Sequence, residues 1–140
     1  MQFARLNDVN LHYQVIGSPA SRPLLVFVNS LGTDFRIWRD VIVRLAGDYA
    51  ILAYDMRGHG LSDVGRTPYS MELLADDLAA LLGHIEARPA IVCGVSVGGI
   101  VAQQQRRSRP TFLPAASSVR LLQGRSMHSV HRQFCSGLPF

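Results

Sequence analysis

Three short apolar segments, each running into a polar loop that contains glycine, constrain the fold of this chain more than any other feature. They read PLLVFVNS from residue 23, YAILAYD from residue 49 and AIVC from residue 90. Runs of this length and composition are typical of strands that are buried on both faces, as in parallel sheets covered by helices. The chain is therefore expected to build a layered α/β structure.

The segments around these strands support that expectation. FRIWRDVIVRLAG, which begins at Phe35, and MELLADDLAALLGHI, which begins at Met71 with Ser70 as its N-cap, have helical spacing. FARLNDVNLHYQVIG alternates as two antiparallel strands around Asn7-Asp8. An antiparallel pair followed by alternating helices and strands predicts a mostly parallel sheet with helices on both faces.

A glycine-flanked serine follows the last apolar strand. Gly94, Ser96 and Gly98 stand in the order G-x-S-x-G, and the IVAQQQ that follows suits the start of a helix. In a strand, tight turn and helix of this kind, the serine hydroxyl is lifted towards a substrate, and glycines let neighbouring backbone pass. The N–H of Val97 then points to where an oxyanion would form. The alternative is a small polar residue in an ordinary glycine-rich loop.

Length and composition limit the other classes of protein to which this chain could belong. A chain of 140 residues has room for one domain, and no apolar run approaches the roughly 18 residues needed to cross a bilayer. The amphipathic N-terminus lacks an apolar signal core, so a cytoplasmic protein without a membrane partner is expected. Two cysteines, Cys93 on the buried strand and Cys135 near the end, do not form a disulfide framework. Cys93 is interpreted as a small core residue.

The charge is distributed unevenly along the chain. Residues 1–103 hold eight arginines and all ten acidic residues, whereas residues 104–140 hold six arginines and no acid. We interpret residues 1–105 as one part of the chain and residues 106–140 as an Arg-rich tail, either disordered or the product of a shifted reading frame. The tail has few aromatic residues and no known module, so a nucleic-acid partner is not expected.

Three loops of this sequence resemble loops of a known protein family. NSLGTD (29–34), YDMRGHGLSD (54–63) and CGVSVGG (93–99) resemble, in type and order, loops of the α/β-hydrolase superfamily over roughly residues 1–105. They look most like those of 3-oxoadipate enol-lactonases, which act in aromatic-acid breakdown. The resemblance implies the α/β-hydrolase fold, a small lactone or ester substrate, and no metal or organic cofactor.

The resemblance also implies roles for particular residues. Ser96 would be the catalytic nucleophile, and the N–H groups of Val97 and Leu31 would form the oxyanion hole. Relatives usually have a His-Gly pair before the second donor, and Asn29-Ser30 stands in that place here. Asn29, Ser30 and Trp38, which lies one helical turn beyond the loop, are candidates for lining the substrate pocket.

The part of the superfamily's catalytic pattern that should follow the serine is missing. The superfamily takes its triad in the order Ser, acid, His, yet no acid follows Ser96. His128 and His131 follow it with H-x-x-H spacing and Cys135 beyond, which alone is a weak metal signal. We therefore expect an incomplete fold without the C-terminal strands, the cap, the acid and the histidine. Such a truncated or frameshifted chain is expected to be nearly inactive and to self-associate through the exposed edge of the strand at 90–95.

Other interpretations of single residues remain open. Arg57 either attracts a substrate carboxylate or is a structural arginine paired with backbone or an aspartate. His59 is either a base or part of the loop, and His84 is expected to be a residue at the C-terminal end of its helix. A generic esterase, a haloperoxidase-like enzyme and a non-catalytic ligand-binding relative are the alternatives to enol-lactonase, because substrate choice depends on the cap.

Overall fold

The computed structural model describes residues 1–87 and 89–110, which form a five-stranded sheet with helices on both faces. The sheet order is β1-β2-β4-β3-β5. The strands are β1 (Gln2–Leu6), β2 (Val9–Ile16), β3 (Leu24–Val28), β4 (Ala50–Tyr54) and β5 (Ala90–Gly94), and the helices are α1 (Arg39–Leu45), α2 (Met71–His84) and α3 (Val97–Ser108).

An antiparallel hairpin leads into three parallel strands, as predicted. β1 and β2 are joined at Asn7 and Asp8, whose positive φ values of 46° and 66° are typical of the tight turns that match strand twist. β2 pairs antiparallel with β4, whereas β3 lies parallel between β4 and β5. Val28 is in register with both Tyr54 and Gly94, so the three parallel strands end together.

Each face of the sheet has its own apolar core, which confirms the prediction of helices on both faces. On one face α2 and α3 pack through residues such as Leu78, Leu82 and Val101. On the other face α1 and the turn before it pack through Leu45 and Trp38. All five residues of β3 and of β4 are buried, because both faces of these central strands are covered.

The helix predicted from Phe35 is divided. Residues Phe35–Trp38 form a 3₁₀ turn, and α1 begins only at Arg39. Asp34 causes the tight start, because its side chain accepts the Arg36 N–H at 2.9 Å. Ser70 caps α2 as predicted, accepting the Leu73 N–H at 3.1 Å.

The predicted domain boundary at residue 105 falls inside α3, which ends at Ser108. Residues 111–140, with the rest of the Arg-rich tail, Cys135 and both of its histidines, lie outside the described residues. Cys93 is buried, and burial raises the pKa of its thiol to about 12, as suits a core residue.

Within the described ranges β5 pairs only with β3, and its proposed role in self-association stays a prediction. None of the helices described has the length and apolar character that crossing a bilayer requires.

Candidate active site

Ser96 stands at a sharp corner between β5 and α3. Its backbone has φ 54° and ψ −120°, a region that costs about 1–3 kcal/mol for a residue with a side chain. The corner makes Ser96 the N-cap of α3, and its carbonyl accepts the Gly99 N–H at 2.9 Å. The Ser96 side chain is exposed at the sheet edge. This is the strained geometry that presents a nucleophilic serine in a G-x-S-x-G elbow.

Both motif glycines are required by close backbone approach. A Cβ at Gly94 would lie 2.5 Å from Gly99 N and even closer to the Gly98 carbonyl group. A Cβ at Gly98 would lie 2.6 Å from Asn29 O and would also strike Val28 O. The elbow is therefore pressed against the end of β3 and the loop that follows it.

That loop is the candidate oxyanion loop, residues 29–34. Thr33 N–H donates to Ser30 O at 3.3 Å, and Gly32 at the third turn position has φ +71° while Leu31 has negative φ. This pattern is typical of a type II β-turn, in which the third position needs glycine. The Asn29 side chain stabilises the turn, because its Nδ2 group donates a hydrogen bond to Thr33 O.

The two predicted oxyanion donors are available and lie on neighbouring loops. Among the described residues, the N–H groups of Val97 and Leu31 have no hydrogen-bond acceptor. Val95 N–H donates to Val28 O at 3.2 Å, so the loops after β3 and β5 leave the sheet side by side. Val97 has no helical partner because it is the first residue of α3. An N–H group without an acceptor is what an oxyanion hole offers to a developing negative charge, and the role of these two groups as donors stays a prediction.

The predicted pocket residues lie in different environments. Ser30 is half-buried, whereas Asn29 is fully buried and directed at its own loop. Trp38 is 1% exposed, and its ring centroid is 4.8 Å from that of Phe27 in the core. Contact between these residues and a substrate remains a prediction.

Arg57 is a structural residue in the described fold. Its Nε and Nη2 atoms donate to both Asp77 oxygens at 2.7 and 2.8 Å, and Nη2 also reaches Asn7 O at 3.1 Å. Arg57 and Asp77 are both almost completely buried. The hydrogen bonds to Asp77 raise the pKa of the Arg57 guanidinium. This pair ties the 54–63 loop to α2 and to the hairpin turn.

The other histidines singled out from the sequence have local roles. His59 Nδ1 lies 3.0 Å from Arg57 O within its own loop, and His84 ends α2 with its ring against Tyr13. Within residues 1–87 and 89–110 no side chain forms a hydrogen bond with Ser96 Oγ. In the same part of the chain no three metal-binding side chains form a cluster. His128 and His131 lie outside the described residues.

Sequence analysis missed a buried pair beside the oxyanion loop. His12 Nδ1 lies 2.8 Å from Asp55 Oδ2, and Asp55 also accepts the N–H groups of Phe35 at 2.9 Å and Leu61 at 3.0 Å. The available signal was a histidine within the strand pattern of β2 and an aspartate directly after β4. Nothing in either segment alone indicates that the two side chains meet.

The fold and the elbow define a class of protein, and sequence comparison agrees with it. The profile of the alpha/beta hydrolase family matches residues 25–135. The chain belongs to the α/β-hydrolase family, and it covers part of that fold.

Among its relatives, 3-oxoadipate enol-lactonases match well. The chain is 42% identical over 96 residues to 3-oxoadipate enol-lactonase 2 of Acinetobacter baylyi, an alignment that covers 69% of this chain and 36% of the relative. It is 38% identical over 87 residues to enol-lactonase 1 of that organism, covering 62% and 32%. The chain thus spans about a third of the length of these curated relatives.

A solved structure extends the same likeness to the backbone. The enol-lactonase from Burkholderia xenovorans LB400 superposes with a TM-score of 0.77 at 32% identity, covering 80% of this chain and 44% of that one. The described part of the chain therefore has the architecture of the corresponding part of that enzyme.

Proposed function

We propose that the complete site hydrolyses carboxylic esters or lactones through Ser96, with 3-oxoadipate enol-lactone as the preferred substrate. The observation that carries the proposal is the strained elbow, which exposes Ser96 next to the Val97 N–H, a group free of described acceptors; the Leu31 N–H, also free of them, lies on the neighbouring loop. The likeness to enol-lactonases in sequence and backbone supports the choice of substrate. Ester and lactone hydrolysis on this scheme uses the protein's own groups and needs no cofactor.

The chemistry proceeds by acyl transfer. Ser96 Oγ attacks the lactone carbonyl while its proton passes to a general base, and the N–H groups of Val97 and Leu31 hold the tetrahedral oxyanion. Collapse of this intermediate breaks the ring C–O bond, leaving an ester on Ser96 and an enolate that takes up a proton and becomes a ketone. Water then hydrolyses the ester and releases the 3-oxo acid.

The first test asks whether Ser96 accepts an acyl group. With p-nitrophenyl acetate we expect slow acetylation, because no described histidine is bonded to Ser96. Oxyanion stabilisation and substrate binding alone leave a rate about 10³ to 10⁴ times that of the reaction in water. Mass spectrometry of peptides should place the acetyl group on Ser96. Ser96→Ala should remove it, whereas the matched change Ser18→Ala, at an exposed serine outside the site, should retain it. Acetylation that survives in Ser96→Ala would contradict the proposal.

The second test removes one oxyanion donor and leaves the turn intact. Leu31 occupies the second position of the type II turn, where proline is favoured, so Leu31→Pro deletes the N–H at little cost in folding. We expect Ser96 acylation to slow by about 10² to 10³, the usual effect of losing one such donor.

The control for this test is Leu31→Ala, which shortens an exposed side chain and keeps the N–H. Its acylation rate should stay within about threefold of the parent, since surface changes usually matter little. Equal rates in Leu31→Pro and Leu31→Ala, with equal unfolding midpoints, would show that Leu31 N–H takes no part.

A further inference from the structure

The Asp55 side chain joins three parts of the chain at the end of β4. Its Oδ1 accepts the Phe35 N–H at 2.9 Å, and its Oδ2 accepts the Leu61 N–H at 3.0 Å and lies 2.8 Å from His12 Nδ1. Asp55 is 1% exposed, and its own backbone N–H donates to His12 O at 2.9 Å. A Cβ at Gly60 would strike the same carboxylate. Asp55 is therefore held in place from several sides.

One of these hydrogen bonds reaches the end of the candidate oxyanion loop. Phe35 directly follows that loop and is the first residue of the 3₁₀ turn. Among the described residues, the hydrogen bonds of residues 30–36 stay within residues 29–40, and the bond from Phe35 N–H to Asp55 Oδ1 is the exception. The loop thus has two anchors, the end of β3 at Asn29 and the bond to Asp55.

Between these anchors the loop is closed by its own hydrogen bonds. Thr33 donates to Ser30 O through its N–H at 3.3 Å and through its Oγ1 at 2.8 Å, and Asn29 Nδ2 donates to Thr33 O. The turn that carries the Leu31 N–H is therefore braced from within. Because the turn is one closed unit, the direction of its N–H groups depends on how its two ends are held.

We propose that Asp55 is a positioning residue for the oxyanion hole, which fixes the direction of the Leu31 N–H by holding the Phe35 N–H. This inference rests on the proposed function, in which the Leu31 N–H stabilises the oxyanion. A donor of this kind lowers the barrier only when it is already aimed at the developing charge, and a displacement of about 1 Å costs up to about 10²-fold in rate.

The test removes the hydrogen bond from the side of its donor, since Asp55→Ala would break three hydrogen bonds at once. Phe35→Pro deletes only the N–H. Proline suits the first position of a helical turn, and Asp34 before it is extended, with φ −117° and ψ 176°. Phe35→Ala is the matched control, because it loses the same ring and keeps the N–H. We expect p-nitrophenyl acetate to acylate Ser96 about tenfold more slowly in Phe35→Pro than in Phe35→Ala.

A double-variant cycle distinguishes positioning of the donor from a general loss of structure. In a Leu31→Pro background the donor is absent, so Phe35→Pro and Phe35→Ala should acylate Ser96 at rates within about twofold of each other. A tenfold difference that persists in this background would overturn the proposal, because damage unrelated to the donor slows acylation in both backgrounds. Equal rates of the two Phe35 variants in the parent chain would overturn it as well.

Asp55→Asn gives a second measurement that does not depend on proline. It keeps the size of the side chain, but a neutral amide oxygen accepts a hydrogen bond more weakly than a carboxylate does. Acylation of Ser96 should slow about threefold or more in the parent chain and should not slow further in Leu31→Pro. An unchanged rate in the parent chain would contradict the role of Asp55.

The same rates distinguish failure of this inference from failure of the proposed function. If Leu31→Pro alone acylates as fast as Leu31→Ala, the Leu31 N–H is not an oxyanion donor, and the proposed function loses that part together with this inference. If Leu31→Pro is slow while Phe35→Pro matches Phe35→Ala, only the positioning role of Asp55 is overturned.

Discussion

Gly94→Ala is expected to destabilise the fold by more than about 4 kcal/mol, a large part of the about 5–15 kcal/mol that stabilises a typical domain. The new Cβ would lie within 2.5 Å of Gly99 N and closer still to the Gly98 carbonyl group. Both are backbone atoms at the start of α3, which cannot move aside as a flexible side chain can. Relief of the clash would separate β5 from α3 and dismantle the elbow.

Urea unfolding followed by circular dichroism measures this effect, with Gly47→Ala as the matched control. Gly47 is exposed after α1, a Cβ there would meet nothing within 4 Å, and its φ is not positive. The control should therefore stay within about 0.5 kcal/mol of the parent or become slightly more stable. A Gly94→Ala protein with the parent's unfolding midpoint would disprove the close packing of β5 on α3.

Arg57→Met is expected to cost about 3–5 kcal/mol, because it leaves the Asp77 carboxylate buried without its ionic partner. The substitution keeps an apolar stem of similar length, so the loss comes from the two hydrogen bonds to Asp77 and the one to Asn7 O. The unfolding free energy in urea measures the loss.

Two further variants test whether the loss of stability comes from breaking a buried ion pair or from the change of side chain alone. Arg57→Met combined with Asp77→Leu should recover most of the loss, since replacing both partners with apolar groups is often close to neutral. Arg36→Met makes the same substitution in an exposed pair with Asp34 and should leave the unfolding midpoint close to that of the parent. Equal costs for Arg57→Met and Arg36→Met would contradict a structural role for Arg57.

Sequence patterns predicted the features of this protein that depend on neighbours along the chain. The hairpin turn at Asn7-Asp8, the N-cap at Ser70 and the elbow at Ser96 each consist of a few consecutive residues with a strong backbone or hydrogen-bonding preference. The strands buried on both faces were also visible, because continuous apolar runs have no solvent-exposed side. The divided helix at Phe35 was missed, since Asp34 shifts the start of an otherwise regular pattern.

The sequence did not determine which partner a charged or polar residue binds when more than one partner is possible. Arg57 was open to a substrate carboxylate or to a structural aspartate, and the partner proved to be Asp77, 20 residues further along. His12 meets Asp55 across 43 residues, and no local pattern indicated the pair. In both cases a charged or polar group needs a partner once it is buried, and the choice depends on which elements the fold packs together.

The sequence by itself determined the element order, the elbow and the residue types of the oxyanion loop, because short-range backbone preferences and apolar periodicity act before any packing. Only the tertiary structure decided which loops meet. Gly98 lies against Asn29 O because β3 and β5 pair in register, although Asn29 and Gly98 are 69 residues apart in the sequence. Sheet pairing is a long-range choice driven by burial of apolar faces, and the contacts that it creates have no signal in either segment alone.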